Sequence, residues 1–453
     1  MSEARAISGL DWRGADAAPE RDLILRNATV LDPRAGIEGP HDVVIRDGKV
    51  AELAAPGAAS APDAEVIDAD GLHAVPAFFD PHVHLRVPGR EDKEDLETGT
   101  RAGAAGGYCG LLAMANTEPP VDTPAQVESL RERAGTDASL PTGFLATVTR
   151  GMRGSELTDM VELADVGAVG FSDDGLPIRS ARVMRRALQY QALAGAQIAL
   201  HEEDSELSGK GVMHEGDVSA LLGMEGVPSV SESTMIARDA AIAAYEGARI
   251  HVQHLSARES VEVVSAAKQA GVALTCEATP HHLVLTDDAV RSLEARFKMN
   301  PPLRSESDRQ ALIEALRSGL VDCIATDHAP HSPEEKEVPF EQAAMGVTGL
   351  ETAFAAIHTD LVIPGVLDLA IVVERMSAGA AAFGFDLPGL APGDEANVAL
   401  LDLEAEWEPG ADGWESRSAN SCFSGRKLTG RPLMTVVAGQ VAYRQRSFAM
   451  GVA

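Results

Sequence analysis

Eight short apolar runs, most of them followed by a helical segment, constrain the fold of this chain more than any other feature. The runs are AFFDPHVHL, GLLAMAN, GFLATVTR, GAVGFSDD, QIALHEED, RIHVQHLS, VALTCEATPHH and CIATDHAP, and they lie between residues 77 and 330. Several of the segments between them are rich in Ala, Glu, Arg and Leu, as surface helices are. This alternation predicts an α/β domain in which helices cover a parallel sheet.

Nearly every run begins with apolar residues and ends in residues that can bind a metal ion or an anion. In a TIM (β/α)8 barrel the carboxyl ends of all eight strands meet at one face, which carries the active site. A doubly wound sheet would not bring all eight ends together. We therefore predict a TIM barrel over residues 77–385, with a polar site at the carboxyl ends of its strands.

The segments on either side of the predicted barrel have a β-type pattern. Residues 22–76 contain short alternating runs with a hairpin signal at Asp47-Gly48, and residues 386–453 return to alternation with Gly and Pro turns. We predict that the two segments together form a small β-sandwich-like module. Residues 1–21 show no periodicity and are predicted to be a flexible extension.

The charge of the chain argues against several classes of partner. The 453 residues include 69 acidic and 38 basic side chains, a formal net charge of −31, whereas nucleic acids and anionic membranes bind basic surfaces. The sequence has no secretory signal and no membrane-length apolar stretch. Its four cysteines, Cys109, Cys276, Cys323 and Cys422, show no metal-type spacing. We expect a cytoplasmic protein that acts on a small molecule and binds neither nucleic acid nor membrane.

Histidines and an aspartate stand at the ends of four of the runs. His82 and His84 are two residues apart, so both imidazoles point to one side of an extended strand. Alone, such a pair is more often a polar strand end than a metal site. His201, His254 and Asp327 end the fifth, sixth and eighth runs. Together these side chains exceed what one tetrahedral zinc site needs, which suggests a two-metal centre.

A two-metal centre needs a bridging carboxylate. The fourth run ends in Ser172-Asp173-Asp174 and supplies two candidates, between which the spacing does not decide.

Ten motifs together resemble those of type I dihydroorotases, a family of the amidohydrolase superfamily, over nearly the whole chain from Asp22 to about Arg444. They are FFDPHVHLRVPG, EDLETGTRAGAAGGY, MANTEPP, FSDDG, LHEED, MHEG, HLSARES, TPHHL, KMNPPLR and IATDHAPH. The resemblance implies an enzyme with one or two Zn²⁺ ions per subunit. The metal ligands that it implies are His82, His84, Asp174, His201, His254 and Asp327. It makes Asp174 the second Asp of the family's Asp-Asp-Gly, with Asp173 as a neighbour.

The resemblance also implies a reaction, the reversible hydrolysis of the cyclic amide of (S)-dihydroorotate to N-carbamoyl-L-aspartate in pyrimidine biosynthesis. Metal-activated hydroxide would attack the ring carbonyl, with Asp327 as general acid and base. The residues implied to bind substrate are His84, Arg86, Asn116, Asn300, His331, Met345 and Gly346. Of these, Arg86, Asn116 and His331 would hold the α-carboxylate, so that this local cluster overcomes the repulsion from an acidic chain.

The chain departs from the usual family pattern at two positions. Val87 stands where family members often have Glu after the Arg, and Met345 where they often have Phe before the Gly. Neither change removes a ligand, and main-chain contacts at Met345-Gly346 would survive the second change. The second change would instead affect how the side chain at position 345 packs against the substrate ring. Residues 331–339 resemble the family's mobile loop over the site, with a passive solvated loop as the alternative.

The remaining histidines fall into two groups. His41, His73 and His358 lie outside the strand-end pattern and are interpreted as surface or packing residues. The others lie close to the motifs, and some of them are expected to hydrogen bond to ligands or carboxylates. This second group is His214, His251, His281, His282 and His328.

Two other functions compete with this interpretation. Hydantoinases and allantoinases share the barrel and the His-x-His pair, but they commonly bridge their metals with a carbamylated Lys, which FSDDG does not contain. Some dihydroorotase-like chains are non-catalytic scaffolds of aspartate carbamoyltransferase, and these tend to lose ligand histidines that this chain keeps. The resemblance further implies a homodimer, with aspartate carbamoyltransferase as a candidate partner.

Overall fold

The structure is a computed structural model, and it describes residues 4–15, 21–446 and 448. The strands are β1 (Arg5–Ala6), β2 (Leu23–Asp32), β3 (Ile37–Arg46), β4 (Lys49–Ala54), β5 (Glu65–Asp68), β6 (His73–Pro76), β7 (Phe78–Val83), β8 (Tyr108–Ala113), β9 (Thr142–Ala146), β10 (Gly170–Phe171), β11 (Gln197–Leu200), β12 (Met213–His214), β13 (Gly226–Val227), β14 (Arg249–Val252), β15 (Ala273–Ala278), β16 (Cys323–Ile324), β17 (Phe385–Asp386), β18 (Val398–Trp407), β19 (Leu428–Val437) and β20 (Gln440–Arg444).

The helices alternate with the strands through the middle of the chain. They are α1 (Leu96–Ala105), α2 (Pro124–Asp137), α3 (Met160–Asp165), α4 (Ala181–Ala194), α5 (Ser205–Ser208), α6 (Asp217–Leu222), α7 (Val230–Glu246), α8 (Arg258–Gln269), α9 (Pro280–Val284), α10 (Glu306–Ser318), α11 (Pro333–Lys336), α12 (Ala353–Ile357), α13 (Leu369–Ser377) and α14 (Gly379–Ala382). No helix in the described part of the chain is long and apolar enough to cross a membrane.

Eight parallel strands form the barrel, in the sheet order β7, β8, β9, β10, β11, β14, β15 and β16. The ring closes through a parallel bridge between Val83 and His328, and the amide of His84 donates to the carbonyl of His328 at 2.8 Å. These strands coincide with the eight apolar runs, and the predicted TIM barrel is confirmed.

The strand residues are apolar because the barrel buries them on both faces. Every residue of β7, β8, β9 and β11 is buried, so these strands show no polar alternation. The helices cover the outside and have clear end signals. The helix α10, for example, begins with a capping box at Ser305 and ends at Gly319, whose φ of 80° suits glycine.

The flanking segments join in one further sheet. Its strand order is β20, β19, β18, β6, β2, β3 and β4, with β5 paired to β2. The N-terminal and C-terminal segments meet where β6 pairs antiparallel with β18, from Pro76 opposite Val398 to His73 opposite Leu401. Residues of both flanking segments form an apolar core of this sheet.

Residues 4–15 differ from the flexible extension that the sequence predicts for residues 1–21. The strand β1 pairs in parallel with β17, and Ile7, Leu10 and Trp12 are buried in the barrel core. Asp11 accepts a hydrogen bond from Nε of Arg131 at 2.6 Å. The prediction of flexibility is therefore wrong for this stretch, because three scattered apolar side chains make its contacts without any periodic pattern. Residues 1–3 and 16–20 lie outside the described residues.

Candidate metal centre and active site

Five barrel strands bring the predicted metal ligands into one buried cluster. Each ligand lies at or just after the carboxyl end of its strand, as a TIM barrel requires. The structure brings together His82 and His84 from β7, Asp174 after β10, His201 after β11, His254 after β14 and Asp327 after β16. All of these residues are at most 6% exposed.

One side of the cluster is formed by three side chains. Oδ1 of Asp327 lies 3.0 Å from Nε2 of His84 and 3.5 Å from Nε2 of His82. One ligand atom from each of these residues lies close enough to the others to hold a single metal ion. Two imidazoles and a carboxylate are a donor set that suits zinc.

Asp174 lies between this group and the remaining histidines. Its Oδ1 is 3.7 Å from Nε2 of His82, 3.6 Å from Nε2 of His254 and 3.7 Å from Nδ1 of His201. The same oxygen is buried and has no hydrogen-bond partner among the described residues. An acceptor left unpaired in the interior costs free energy, which a cation held between the carboxylate and the imidazoles would recover. The residues therefore fit a metal centre.

The outer nitrogens of three of these histidines face hydrogen-bond acceptors. Nδ1 of His82 is 2.5 Å from Oε1 of Glu277, and Nδ1 of His84 is 2.9 Å from Oδ1 of Asn116. Nε2 of His201 is 3.1 Å from Oε2 of Glu203. An acceptor on one ring nitrogen keeps the proton there and leaves a lone pair on the other. Each imidazole thus presents its inner nitrogen, with a free lone pair, to the centre of the cluster.

Asp173 has a different environment from Asp174. One carboxylate oxygen of Asp173 accepts hydrogen bonds from the amides of Val148 and Thr149 at 2.8 and 3.1 Å, and the other accepts from the Thr149 hydroxyl. Burial raises the pKa of Asp173 to about 6. This side chain therefore anchors the loop after β9, and it is not among the groups that could hold a metal.

Three residues of the site have a strained backbone conformation. Arg86, His254 and Asp327 have φ values of 60°, 34° and 47°, in the left-handed region that non-glycine residues rarely adopt. Such conformations cost about 1–3 kcal/mol each and persist where the surroundings impose them. All three side chains line the same cavity, so the strain is stored where these side chains meet.

The charge state of Asp327 is set by competing effects. Burial would raise the pKa of its carboxyl group, but the adjacent His82 and His84 lower it to about 2. The side chain is therefore a carboxylate at neutral pH, able to accept a proton or bind a cation.

A cavity of about 280 Å³ opens onto the cluster. Its lining includes every residue that the sequence assigns to substrate binding, namely His84, Arg86, Asn116, Asn300, His331, Met345 and Gly346. The structure thus brings the predicted substrate residues to the predicted metal ligands.

Three of the side chains that line this cavity, Arg86, Asn116 and His331, can donate hydrogen bonds. Nε of Arg86 donates to the carbonyl of Pro330 at 3.1 Å, and its terminal nitrogen is 3.5 Å from Nε2 of His331. The amide nitrogen of Asn116 lies 3.3 Å from both the carbonyl and a carboxylate oxygen of Asp174. An arginine that keeps N–H groups beside a histidine and an asparagine is suited to bind an anion such as a carboxylate.

The loop that follows β16 is held by ionic contacts. The carboxylate of Glu335 lies 2.9 Å from Nδ1 of His331 and 2.6 Å from Nζ of Lys93. Nζ of Lys336 donates to three main-chain carbonyls, including that of Gly346 at 2.9 Å. These contacts fix the position of His331 and of the main chain at Gly346 beside the cavity.

Sequence reasoning missed two carboxylates of this site, Glu277 and Glu203. Glu277 is the second-last residue of the strand β15 and lies between His82 and His251, with its Oε2 2.9 Å from Nε2 of His251. His251 thus belongs to the group that was expected to bond to ligands or carboxylates. The sequence signal for Glu277 is an acidic residue inside the run VALTCEATPHH, and the signal for Glu203 is its position two residues after the candidate ligand His201.

Comparison with known proteins agrees with the geometry. A family model described as Dihydro-orotase-like matches residues 71–260. A dihydroorotase of Trichlorobacter lovleyi is 41% identical over 94% of this chain and 100% of its own length. A dihydroorotase of Anaeromyxobacter sp. strain K is 44% identical over 93% of this chain and 98% of its own length.

Two solved structures, a hydantoinase and a dihydropyrimidinase, share the fold of this chain. The L-hydantoinase (dihydropyrimidinase) of Arthrobacter aurescens superposes with a TM-score of 0.82 at 26% identity, covering 94% of this chain and 96% of that one. The dihydropyrimidinase of Brevibacillus agri superposes with a TM-score of 0.79 at 22% identity, covering 94% and 95%, and this likeness is one of fold.

Proposed function

The chain belongs to the dihydroorotase family, and from this membership we propose that it catalyses the reversible opening of (S)-dihydroorotate to N-carbamoyl-L-aspartate. One observation carries the proposal: the His and Asp cluster and the Arg86 guanidinium open onto the same cavity. A ring amide can therefore lie at the cluster while a carboxylate on the same ring reaches the arginine.

We infer two ligand positions in this cluster. The ligand atoms of His82, His84 and Asp327 lie close enough together to hold one ion, as do those of His82, Asp174 and His254, and Nδ1 of His201 lies 3.7 Å from Oδ1 of Asp174. We propose one or two zinc ions in these positions, because imidazole and carboxylate together suit zinc. When bound, such an ion polarises the amide carbonyl and lowers the pKa of water to near neutrality.

The chain's own residues supply the remaining functions. Arg86, with Asn116 and His331, would bind the substrate carboxylate and orient the ring. Asp327 would accept the proton of the attacking water and return it to the ring nitrogen as the C–N bond breaks, so that the proton count balances. Asn300 and the main chain at Met345-Gly346 would contact the rest of the ring.

Hydantoinase activity is the alternative nearest in chemistry, and two features of the site oppose it. The described residues that line the cavity include no lysine that could be carbamylated, and Asp174 lies where a bridge would be needed. If the substrate were a hydantoin, the Arg86 guanidinium would also face a ring that has no anionic group. A scaffold function is opposed by the complete set of ligand side chains.

Assembly and location follow only from the family and stay predictions. We propose a homodimer, with aspartate carbamoyltransferase as a candidate partner, and a cytoplasmic location in which the four free buried cysteines remain reduced. Sedimentation of the purified chain, alone and mixed with that transferase, would test the assembly. The small module over residues 22–76 and 386–453, distinct from the barrel over 77–385, is proposed as a separate domain.

Metal dependence and Asp327 test the proposal together. The purified, zinc-supplemented chain should open the ring of L-dihydroorotate, lose this activity on chelation and regain it on zinc addition. Asp327→Ala should lower kcat by about 10²–10⁴-fold or more, because general acid-base catalysis alone contributes a factor in this range. Turnover that survives complete metal removal, or that Asp327→Ala leaves unchanged, would contradict the proposal.

A further inference from the structure

One carboxylate oxygen connects the candidate metal centre to the candidate substrate cavity. Oε2 of Glu203 lies 3.1 Å from Nε2 of His201 and accepts a hydrogen bond from Nδ2 of Asn300 at 2.8 Å. The Glu203 side chain is 20% exposed, so it is largely enclosed but not part of the barrel core.

The contact with His201 determines which ring nitrogen can bind a metal. A carboxylate only accepts hydrogen bonds, so it keeps the His201 proton on Nε2. The lone pair then lies on Nδ1, which is 2.9 Å from Nε2 of His254 and 3.7 Å from Oδ1 of Asp174. Without this carboxylate, the proton could move to Nδ1 and block the ligand atom.

The contact with Asn300 determines the orientation of its amide. Because Glu203 accepts, the NH2 group of Asn300 must face it, and the carbonyl oxygen is turned elsewhere. Asn300 lines both the 280 Å³ cavity and an adjoining cavity of about 480 Å³, which Glu203 also lines. An amide held in this orientation offers a carbonyl oxygen that can accept a ring N–H.

We propose that Glu203 is a positioning residue that couples metal binding to recognition of the substrate ring. It holds His201 as an Nδ1 ligand and Asn300 as an acceptor for a ring N–H of the cyclic amide. The identity of the substrate rests on the proposed function. The role of Glu203 in metal binding rests on its contact with His201.

A matched control exists three residues further along the chain. Glu206 lies on the same segment, and its carboxylate pairs with the Arg179 guanidinium at 2.6 Å on the surface. If Glu203 acted only through its negative charge, replacing Glu206 would change zinc affinity and KM in the same way. Glu203→Gln and Glu206→Gln therefore remove the same charge, but only at position 203 is the charged oxygen shared by His201 and Asn300.

The experiment measures zinc affinity by competition with a chromophoric chelator, and KM for L-dihydroorotate at saturating zinc. Glu203→Gln replaces the charged acceptor with a neutral amide, whose oxygen accepts more weakly and whose NH2 group can turn toward either donor, so zinc binding should weaken by about 10–100-fold and KM should rise. Asn300→Ala should raise KM but keep zinc affinity within about twofold of the wild type. Glu206→Gln should change neither quantity.

Glu203→Ala, which leaves space for water, is a second variant for which we expect the same losses of zinc affinity and of substrate affinity. The melting temperature measured without zinc checks that each variant folds. Zinc affinity of both Glu203 variants within about twofold of the wild type would overturn the proposal, as would an equal loss in Glu206→Gln. If the wild type binds zinc but does not open dihydroorotate, the proposed function fails while the zinc measurement still tests the role of Glu203.

Discussion

Oε1 of Glu277 lies 2.5 Å from Nδ1 of His82, and both side chains are completely buried. The other carboxylate oxygen lies 2.9 Å from Nε2 of His251, whose Nδ1 is 2.8 Å from the Thr275 hydroxyl. A row of four side chains thus runs through the barrel interior to the candidate metal centre. Despite the burial, the neighbouring imidazoles hold the pKa of Glu277 well below its usual range, so it is a charged acceptor that keeps the His82 proton on Nδ1.

Replacing this carboxylate should weaken metal binding. Glu277→Gln keeps the size of the side chain but removes the charge that holds the His82 proton, so zinc affinity should fall by about 10–100-fold. Competition with a chromophoric chelator measures the change. Thr275→Val serves as the control, because it removes the hydroxyl that contacts His251 and leaves the contact between Glu277 and His82 intact. Unchanged zinc affinity in Glu277→Gln would show that this contact does not position the ligand.

Asp174 and Asp173 should respond differently to the same substitution. Asp174→Asn replaces a carboxylate that faces three imidazoles, so the bound metal per chain should fall, as elemental analysis would measure. Asp173→Asn should keep the metal but lower the free energy of unfolding by about 1–3 kcal/mol, because an amide cannot accept all of its present hydrogen bonds. Metal loss in Asp173→Asn alone would reverse the two assignments.

Arg86 should control the choice of ring. Arg86→Gln should lower kcat/KM for dihydroorotate by about 10–150-fold, the effect of losing hydrogen bonds worth 1.5–3 kcal/mol to a charged group. Its activity on dihydrouracil, which has no carboxylate, should not fall. Steady-state kinetics on both rings measure the difference, with Arg317→Gln as a control because Arg317 pairs with Glu314 on the surface. Equal losses on both rings would show that Arg86 does not bind the carboxylate.

Glu351 should make stability depend on pH. Burial raises the pKa of its carboxyl group to about 7, although the amides of Glu415 and Ser416 donate to it at 3.1 Å. Because the folded pKa exceeds the unfolded value, this group stabilises the fold at low pH, and that contribution is lost as pH rises from about 4.5 through 7. The advantage of the wild type over Glu351→Gln should shrink by on the order of 1–3 kcal/mol between pH 5 and pH 8. Chemical unfolding at both pH values tests this, and a constant difference would contradict it.

The barrel was predictable because its strands leave a direct trace in the sequence. The strand β8, for example, is buried throughout and reads as an unbroken apolar run. The candidate ligands were predictable for a related reason: His201 follows β11 directly and Asp327 follows β16 within three residues. The end of a strand can be located from the residues next to it, so a single sequence is enough to predict which side chains lie there.

Other features depend on contacts that no local pattern records. Glu277 and His82 are far apart in the sequence, and their contact exists only because the barrel closes. The packing of Ile7 and Trp12 against the barrel depends on a few isolated apolar residues in a polar stretch. The contact between Glu203 and Asn300 likewise forms only when the loops after two strands fold together.

The most direct test of the account is ring opening by the purified, zinc-loaded chain on L-dihydroorotate beside dihydrouracil, hydantoin and allantoin. A cavity that joins the His and Asp cluster to the Arg86 guanidinium requires a ring with a carboxylate. The account therefore predicts a kcat/KM for dihydroorotate well above that for each of the three neutral rings. A preference for a neutral ring, or no turnover of dihydroorotate by a chain that has bound zinc, would contradict it.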